Sequence, residues 1–414
     1  MSKEAYLAAL EAGIARMAKA GSQVTLVHHN DADGLCSASV VQLALSRAGL
    51  SVRRIPLERV HPPIIERIHQ QFPGTILYLD LGGKAAPIIS EANTGAEQAG
   101  YGRRFTLILD HHRPEAATDP EVVNLTTEFF GLSGDLDISA ATVACLFAQV
   151  LDEENQDLAY LGVVGAVGDS HDREGRLVGE NRRALQKAVD QNHVRVEEVD
   201  GRETYVLTRF GEDISITSFA KSLTTLGAAG YFMNGPALGV RMCLEGPIQE
   251  ARQKLEELEQ VKQAAYGKVL ARLSQAGFRE TRFTQWFQVG EDFAPMGVKM
   301  IGEFCMEIRD ADFFDPQKYL VGFQNMGRDI PGLGTFDWSL VKASMRVPSP
   351  LEKQIVVKRT MPGLAYLVPE AAKRVGGSID ACHDYAAATL ISVGDEEELI
   401  AAMDELTADF GIDR

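Results

Sequence analysis

Cysteine is scarce in this chain of 414 residues: Cys36, Cys145, Cys243, Cys305 and Cys382 are the full set, and none stands in a CxxC pair. That excludes a cysteine zinc site and a disulfide framework. Scattered reduced thiols fit a cytoplasmic protein. No apolar run approaches the roughly 20 residues that span a bilayer, so no membrane partner is expected. The stretch from Met1 to Lys19 has an apolar face but carries Glu4 and Glu11, and reads as an amphipathic helix, not a signal peptide. Positive charge is also in deficit, with 41 Lys and Arg against 58 Asp and Glu, a net charge of −17. Bulk coating of long duplex DNA is thereby excluded, because that attraction comes from clustered Lys and Arg. Internal repeats and low-complexity tracts are absent from the pattern.

What the chain does have is three short apolar runs in its first 112 residues, each ending in an aspartate. Val24–Val27 leads to His28-His29-Asn30-Asp31-Ala32-Asp33-Gly34, Thr75–Leu79 to Asp80, and Phe105–Leu109 to Asp110-His111-His112. Such a run reads as a buried parallel strand whose carboxyl end is functional. Open α/β sheets bind ligands outside those ends. Oxygen and imidazole groups gathered there suit one or two divalent metal ions.

The pattern from residue 1 to about 215 reads as βαβα. Helices are expected at Gly34–Ala48, Pro62–Gln71, Asp137–Leu151 (N-capped near Ser139) and Leu158–Val167, with a further strand at Ser51–Leu57. The helix at 158–167 is apolar all round, hence buried, and delivers Gly168-Asp169-Ser170-His171-Asp172. Residues 246–276 are charged and glycine-poor with helical apolar spacing, and read as a long linker helix between domains. Beyond it, β-rich segments at 283–289, 319–324, 338–345 and 388–393 precede a closing helix at 395–410. The expected organisation is an α/β protein: a parallel-sheet domain over 1–245, the linker helix 246–276, and a smaller α/β domain over 277–414. Residues 175–245 and 277–335 carry no interpretable motif.

Asp31-x-Asp33-Gly34 offers two carboxylates on a tight loop, each able to face a different ion, with Gly34 allowing the sharp turn into a helix. Asp80-Leu81-Gly82-Gly83 offers a carboxylate able to bridge two ions. In Asp110-His111-His112, one imidazole suits manganese or zinc, the aspartate can orient it, and the second imidazole can contact a phosphate or donate a proton. Asp169 ends a buried helix, where a charge needs a partner. Taken singly, each motif also reads as an N-cap, a turn residue or a surface histidine pair. Taken in this order and architecture, they read as one site. Between Val341 and Val375, seven basic residues face two acids. Gly376-Gly377 and His383 follow, a combination suited to an anion-binding surface.

The order HxDxDG, strand-end Asp, Asp-His-His and later Asp resembles the DHH phosphoesterase superfamily. Val341–Arg346 resembles the Ser-x-Arg strand of its DHHA1 substrate-binding domain. Gly376, Gly377, His383, Ala386 and Ala387 are similar to that domain's glycine-rich His-x-x-Ala-Ala signature. The resemblance covers most of the chain except about 175–335, and is closest to RecJ-like and archaeal-type DHH proteins. It implies a parallel-sheet DHH domain joined to a DHHA1-like domain. It further implies two divalent ions, Mn²⁺ foremost, with Mg²⁺ or Co²⁺ as alternatives. His29, Asp31 and Asp80 would hold one ion, and Asp33, Asp80, His111 and Asp169 the other, with Asp80 bridging. Asp110 would orient His111, and His112 would contact the scissile phosphate. Ser344, Arg346, Gly376, Gly377 and His383 would bind substrate. The chain departs from the family where the glycine-rich run is stretched to Gly376–His383 and where Ala388 replaces a closing glycine.

The activity implied first is a RecJ-like exonuclease on single-stranded DNA or RNA. The second is a hydrolase of short oligonucleotides, cyclic dinucleotides or 3′-phosphorylated nucleotides, which the charge of −17 favours. A non-catalytic replication scaffold is the third; the full set of expected ligands argues against it. Protein partners are not indicated.

Overall fold

The computed structural model describes residues 3–275 and 277–410. The chain divides into two compact units, residues 1–255 with 331–334, and residues 256–330 with 335–414. Ala276, the last residue of the expected linker, lies outside the described residues.

The first unit opens with α1 (Lys3–Ala20), β1 (Gln23–His29), α2 (Ala32–Arg47), β2 (Ser51–Leu57), α3 (Pro62–Gln71), β3 (Thr75–Leu79), α4 (Ala86–Gln98), β4 (Thr106–Leu109) and β5 (Val122–Asn124). The five strands form one parallel sheet in the order β2-β1-β3-β4-β5. Every residue of β3 and β4 is buried, as a parallel sheet covered on both faces requires. Right-handed crossovers place α2 on one face and α3 and α4 on the other. The chain reverses direction across the sheet between β1 and β3, which is where this strand order opens its ligand crevice. Register does the rest. His28 is level with Leu79 and Leu79 with Leu109, so the residues leaving β1, β3 and β4 emerge at one height.

The βα alternation ends at β5, short of the expected residue 215. Next come α5 (Ala140–Leu151), α6 (Ala159–Gly168) and α7 (Gly179–Asp190). α5 and α6 are buried almost throughout and pack on each other and on α2, so no strand is needed to cover them. β6 (Val194–Val199), β7 (Arg202–Leu207) and β8 (Ile214–Ser215) then make a separate antiparallel sheet. α8 (Ile216–Ala228) and α9 (Gly235–Glu245) complete the layer. They bring Cys243 to 3.9 Å from Cys36, sulfur to sulfur, although the two are 207 residues apart.

α10 (Gln249–Leu273) runs from the first unit into the second, its packing changing allegiance after Leu255. The second unit contains β9 (Arg279–Glu280), β10 (Thr284–Gly290), α11 (Met300–Ile308) and β11 (Tyr319–Asn325). A short ribbon follows, β12 (Asp329–Ile330) with β13 (Gly334–Thr335), then β14 (Leu340–Arg346), α12 (Ser349–Lys353), α13 (Leu364–Arg374), β15 (Ser378–Cys382), β16 (Ala386–Ser392) and α14 (Glu396–Asp409). Six strands make a mixed sheet in the order β15-β16-β14-β11-β10-β9. Alternate residues of β11 and β14 (Tyr319, Val321, Phe323; Val341, Ala343, Met345) bury against Leu367, Val368 and Ala371 of α13 and Leu399 and Met403 of α14. The other face of the same strands meets α11. There Gly322 leaves room for Cys305 and Ile301, whose side chains lie within 3 Å of where its Cβ would be.

Candidate metal centre

Asp31 closes β1 and caps α2: its Oδ1 accepts from Gly34 N at 3.1 Å, and its Oδ2 lies 2.9 Å from His29 Nδ1. Gly34 is required here, because a Cβ would sit 2.4 Å from the His29 carbonyl oxygen. Strand alternation separates the two neighbouring histidines. His29 faces the acidic groups, while His28 Nδ1 lies 2.7 Å from the His29 carbonyl; since a carbonyl only accepts, Nδ1 carries the proton. Burial pushes the His28 pKa down to about 3, so it is a neutral structural residue.

Asp80 is the centre of the arrangement. It is 2 % exposed and holds a left-handed backbone, φ 61°, a conformation uncommon for any residue with a side chain. Strain of this kind persists where the surroundings fix it, and it clusters at functional sites. Its two oxygens face different ways. Oδ2 is 3.4 Å from His29 Nδ1, on the Asp31 side, and Oδ1 is 3.4 Å from His111 Nε2.

His111 donates through Nδ1 to the Gly134 carbonyl at 2.7 Å. In its neutral form the ring therefore carries its lone pair at Nε2. That atom faces Asp80 Oδ1, Asp169 Oδ2 at 3.7 Å and Asp33 Oδ2 at 3.9 Å. Burial opposes a charge on His111, but the ion pair with Asp80 and the charges of Asp169 and Asp33 outweigh it and raise its pKa well above the usual value. Burial first, and the repulsion of Asp80 second, push Asp33 up. Both Nε2 of His111 and Oδ2 of Asp80 are buried without a hydrogen-bond partner. Carboxylates converging on an imidazole need positive charge among them, a proton on the ring or a metal ion in its place. The donors, histidine nitrogen and carboxylate oxygen, are those of a divalent metal site. The side chains gather as His29, Asp31 and Asp80, as His111, Asp169 and His171, and as Asp80, Asp110, His111 and His112.

Asp33 is held differently from the other acids. Its Oδ2 accepts from Ala140 N at 2.7 Å and its Oδ1 from Ala141 N at 2.9 Å, the first turn of α5. Gly165 of α6 must be glycine for this, since a Cβ would lie 2.2 Å from Asp33 Oδ1.

Asp110 does not orient the His111 ring, which the Gly134 carbonyl holds instead. Its Oδ1 accepts from His111 N at 2.8 Å and from His112 Nδ1 at 2.7 Å, and its Oδ2 accepts from Gly83 N at 2.8 Å. Burial would raise the Asp110 pKa, but the charge and hydrogen bond of His112 drive it below the ordinary range. In return, and against the effect of burial, Asp110 raises His112 to about 9, so a half-exposed imidazolium stands beside the cluster.

Sequence reading leaves His171 without a role. It is 1 % exposed, with Nε2 3.1 Å from Asp169 Oδ2. Its position two residues after the helix-ending Asp169 is the signal the sequence offers.

In the second unit, Ser344 and Arg346 share a face of β14 under α11. A Cβ on Gly302 would lie 3.0 Å from both Ser344 Oγ and Arg346 Nη2. Arg346 Nη1 donates to its own Met345 carbonyl at 2.8 Å, Nε has no partner, and no carboxylate among the described residues pairs with it. Burial lowers its pKa. His383 is exposed in the turn from β15 to β16, near the Arg346 row of the sheet, and its N donates to Ala386 O at 2.8 Å. Gly376 and Gly377 are not beside them. Gly377 leads into Ser378, which pairs with Leu390, four residues along β16 from the Ala386 that pairs with Arg346, or about 13 Å. Gly376 has φ 66° and makes the turn out of α13.

The fold and the cluster define a class: an α/β domain with an acidic–histidine centre at the carboxyl edge of a parallel sheet. Residues 23–165 match the DHH family, N-terminal domain. That segment carries the DHH-family domain, and the fold of the chain is RecJ-like. An uncharacterised protein of Methanocaldococcus jannaschii is 24% identical over 179 residues, 42% of this chain and 38% of the relative. RecJ of Thermus thermophilus in complex with Mn²⁺ superimposes with TM-score 0.61 and 16% identity, covering 97% of this chain and 55% of that one. An exonuclease RecJ bound to manganese gives TM-score 0.58 and 15% identity, over 97% and 94% of the two chains. The chain therefore spans 38% and 55% of the first two of these proteins. No helix among the described residues is long and apolar enough to cross a membrane.

Proposed function

We propose that this chain is a metal-dependent phosphoesterase that cleaves phosphodiesters of single-stranded nucleic acid, as a RecJ-like exonuclease does. The observation that carries the reading is Asp80, whose two oxygens face two separate His–carboxylate groups. His29, Asp31 and Asp80 would hold one divalent ion, and Asp80, Asp33, His111 and Asp169 a second, with Mn²⁺ the first candidate. Ions held there would supply Lewis-acid activation of water and neutralise phosphoryl charge.

The chain's own residues do the remaining work. Asp110 fixes His112 through Nδ1, leaving the Nε2–H of a ring with raised pKa to donate to a phosphoryl oxygen or to the leaving oxygen. Gly83 N, donating to Asp110, keeps that carboxylate ionised and in place. In the second unit, Ser344 and the guanidinium of Arg346 offer donors to a phosphate group, bidentate geometry being the natural use of a guanidinium. A second reading, turnover of short oligonucleotides or small nucleotides, is favoured by the net charge of −17.

The test is a product time course with Mn²⁺, offering a labelled single strand of about 30 nucleotides, a dinucleotide and a cyclic dinucleotide; strand length here exceeds the ~4–16 nucleotides one binding module covers. Stepwise release of mononucleotides from the long strand is expected. Cleavage of the small substrates alone would replace the polymer reading with the second, and no cleavage of any would overturn both.

A further inference from the structure

His171 is fixed from behind by Asn181. Asn181 Nδ2 lies 2.8 Å from His171 Nδ1, and either atom could in principle be the donor. The other contacts of the amide decide which is. Its Oδ1 accepts from the backbone N of Ser139 at 3.0 Å and from Thr142 Oγ1 at 2.7 Å, and its Nδ2 donates to the Leu136 carbonyl at 3.2 Å. A backbone N–H cannot accept and a carbonyl cannot donate, so turning the amide over would set like against like at both positions, one of them buried. Asn181 Nδ2 is therefore the donor and His171 Nδ1 the lone-pair nitrogen. The neutral ring then carries its proton on Nε2, aimed at Asp169 Oδ2 3.1 Å away.

From this geometry we propose that His171 is a positioning residue that holds the Asp169 carboxylate at the His111 side of the metal centre and is not itself a ligand. A ligand role would need the lone pair at Nε2, and Asn181 holds the opposite tautomer. The chain of contacts begins at the first turn of α5. Ser139 and Thr142 orient Asn181, Asn181 sets His171, and His171 sets Asp169. The same turn holds Asp33 directly through Ala140 N and Ala141 N. One helix N-terminus thus places two of the three carboxylates that surround His111 Nε2. The inference rests on the two-ion reading above.

The experiment is Mn²⁺ titration of the full chain followed by electron paramagnetic resonance, with electron spin-echo modulation counting the imidazole nitrogens on the bound ions. His171→Ala should weaken one ion by about 10–100-fold, the usual effect of removing an outer partner of a ligand, and leave the other unchanged. His171→Gln, whose amide can donate to Asp169, should recover most of that affinity with the nitrogen count of wild type. In an Asp169→Ala background His171→Ala should add nothing, because the effect travels through Asp169. Wild-type affinity in His171→Ala, or loss of one coordinated nitrogen in His171→Gln, would overturn the proposal. Asp80→Ala separates the two claims: it should lose both ions, and retention of both would refute the two-ion reading itself, whatever the His171 variants do.

Discussion

Replacing Asp80 with Asn tests the centre with the least disturbance elsewhere. Asn keeps the shape and tolerates the left-handed backbone at φ 61°. Only the charge and one acceptor oxygen change. Without metal, two effects oppose each other: the ion pairs to His29 and His111 are lost, and the repulsion that Asp80 exerts on Asp33 is relieved. The metal-free melting temperature should therefore move little, by no more than about 4 °C, the equivalent of ~1 kcal/mol for a unit of this size. With metal the difference is large. An ion present at 100 times its Kd stabilises the native state by about 2.7 kcal/mol, so two ions stabilise it by roughly 5 kcal/mol, or about 10–20 °C. Asp80→Asn removes a shared ligand and should abolish most of that shift. The assay is calorimetry of both proteins in EDTA and in Mn²⁺. A wild-type Mn²⁺ shift that survives intact in Asp80→Asn would refute the bridging role. Collapse of the metal-free variant would show Asp80 to be a structural residue.

Three further outcomes follow from the geometry. Gly165→Ala drives a Cβ into Asp33 Oδ1 and should cost about 1–3 kcal/mol of stability together with metal affinity; unchanged melting and unchanged Mn²⁺ binding would show that Asp33 need not be where it is. Arg346→Ala should raise KM or lower kcat without changing metal content, and loss of bound metal on analysis would contradict a substrate role for this residue. His69 is fully buried between Asn93 and Tyr78, and burial lowers its pKa to about 4. Its folded pKa lies below the unfolded value, so its contribution is complete above about pH 6.5 and is lost as pH falls from there to about 4. That loss amounts to at most about 3 kcal/mol. His69→Gln should flatten that part of the stability profile in denaturant titrations at stepped pH, and an unchanged acid slope would contradict the assignment.

The strand-end aspartates were legible because several such motifs recur in order at the exits of apolar runs, and equal strand heights then bring Asp31, Asp80 and His111 together. The element boundaries at Ser51–Leu57, Pro62–Gln71 and Thr75–Leu79 follow directly from apolar runs and a Pro-Pro start. The extent of the βα pattern was not legible, since α5 and α6 bury by packing on α2 and leave no periodic mark of it. The β6–β7 hairpin did leave a signal. Asp200 and Gly201, with φ 52° and 75°, form the Asp-Gly turn that joins two alternating strands. Which ring Asp110 holds, and what His171 does, depend on Gly134 and Asn181, which come from distant segments with no spacing rule linking them. The proximity of Cys36 and Cys243 has the same origin. The Gly376-Gly377 pair resembles part of a binding signature, yet its backbone serves the turn from α13 into β15.

The most direct measurement of the central claim is anomalous diffraction at the manganese edge from crystals of the full chain grown with Mn²⁺. Two anomalous peaks about 3.5–4 Å apart, one on each side of the Asp80 carboxylate, are the predicted result. A single peak, or none in contact with Asp80, would contradict the two-ion centre and the phosphoesterase reading built on it.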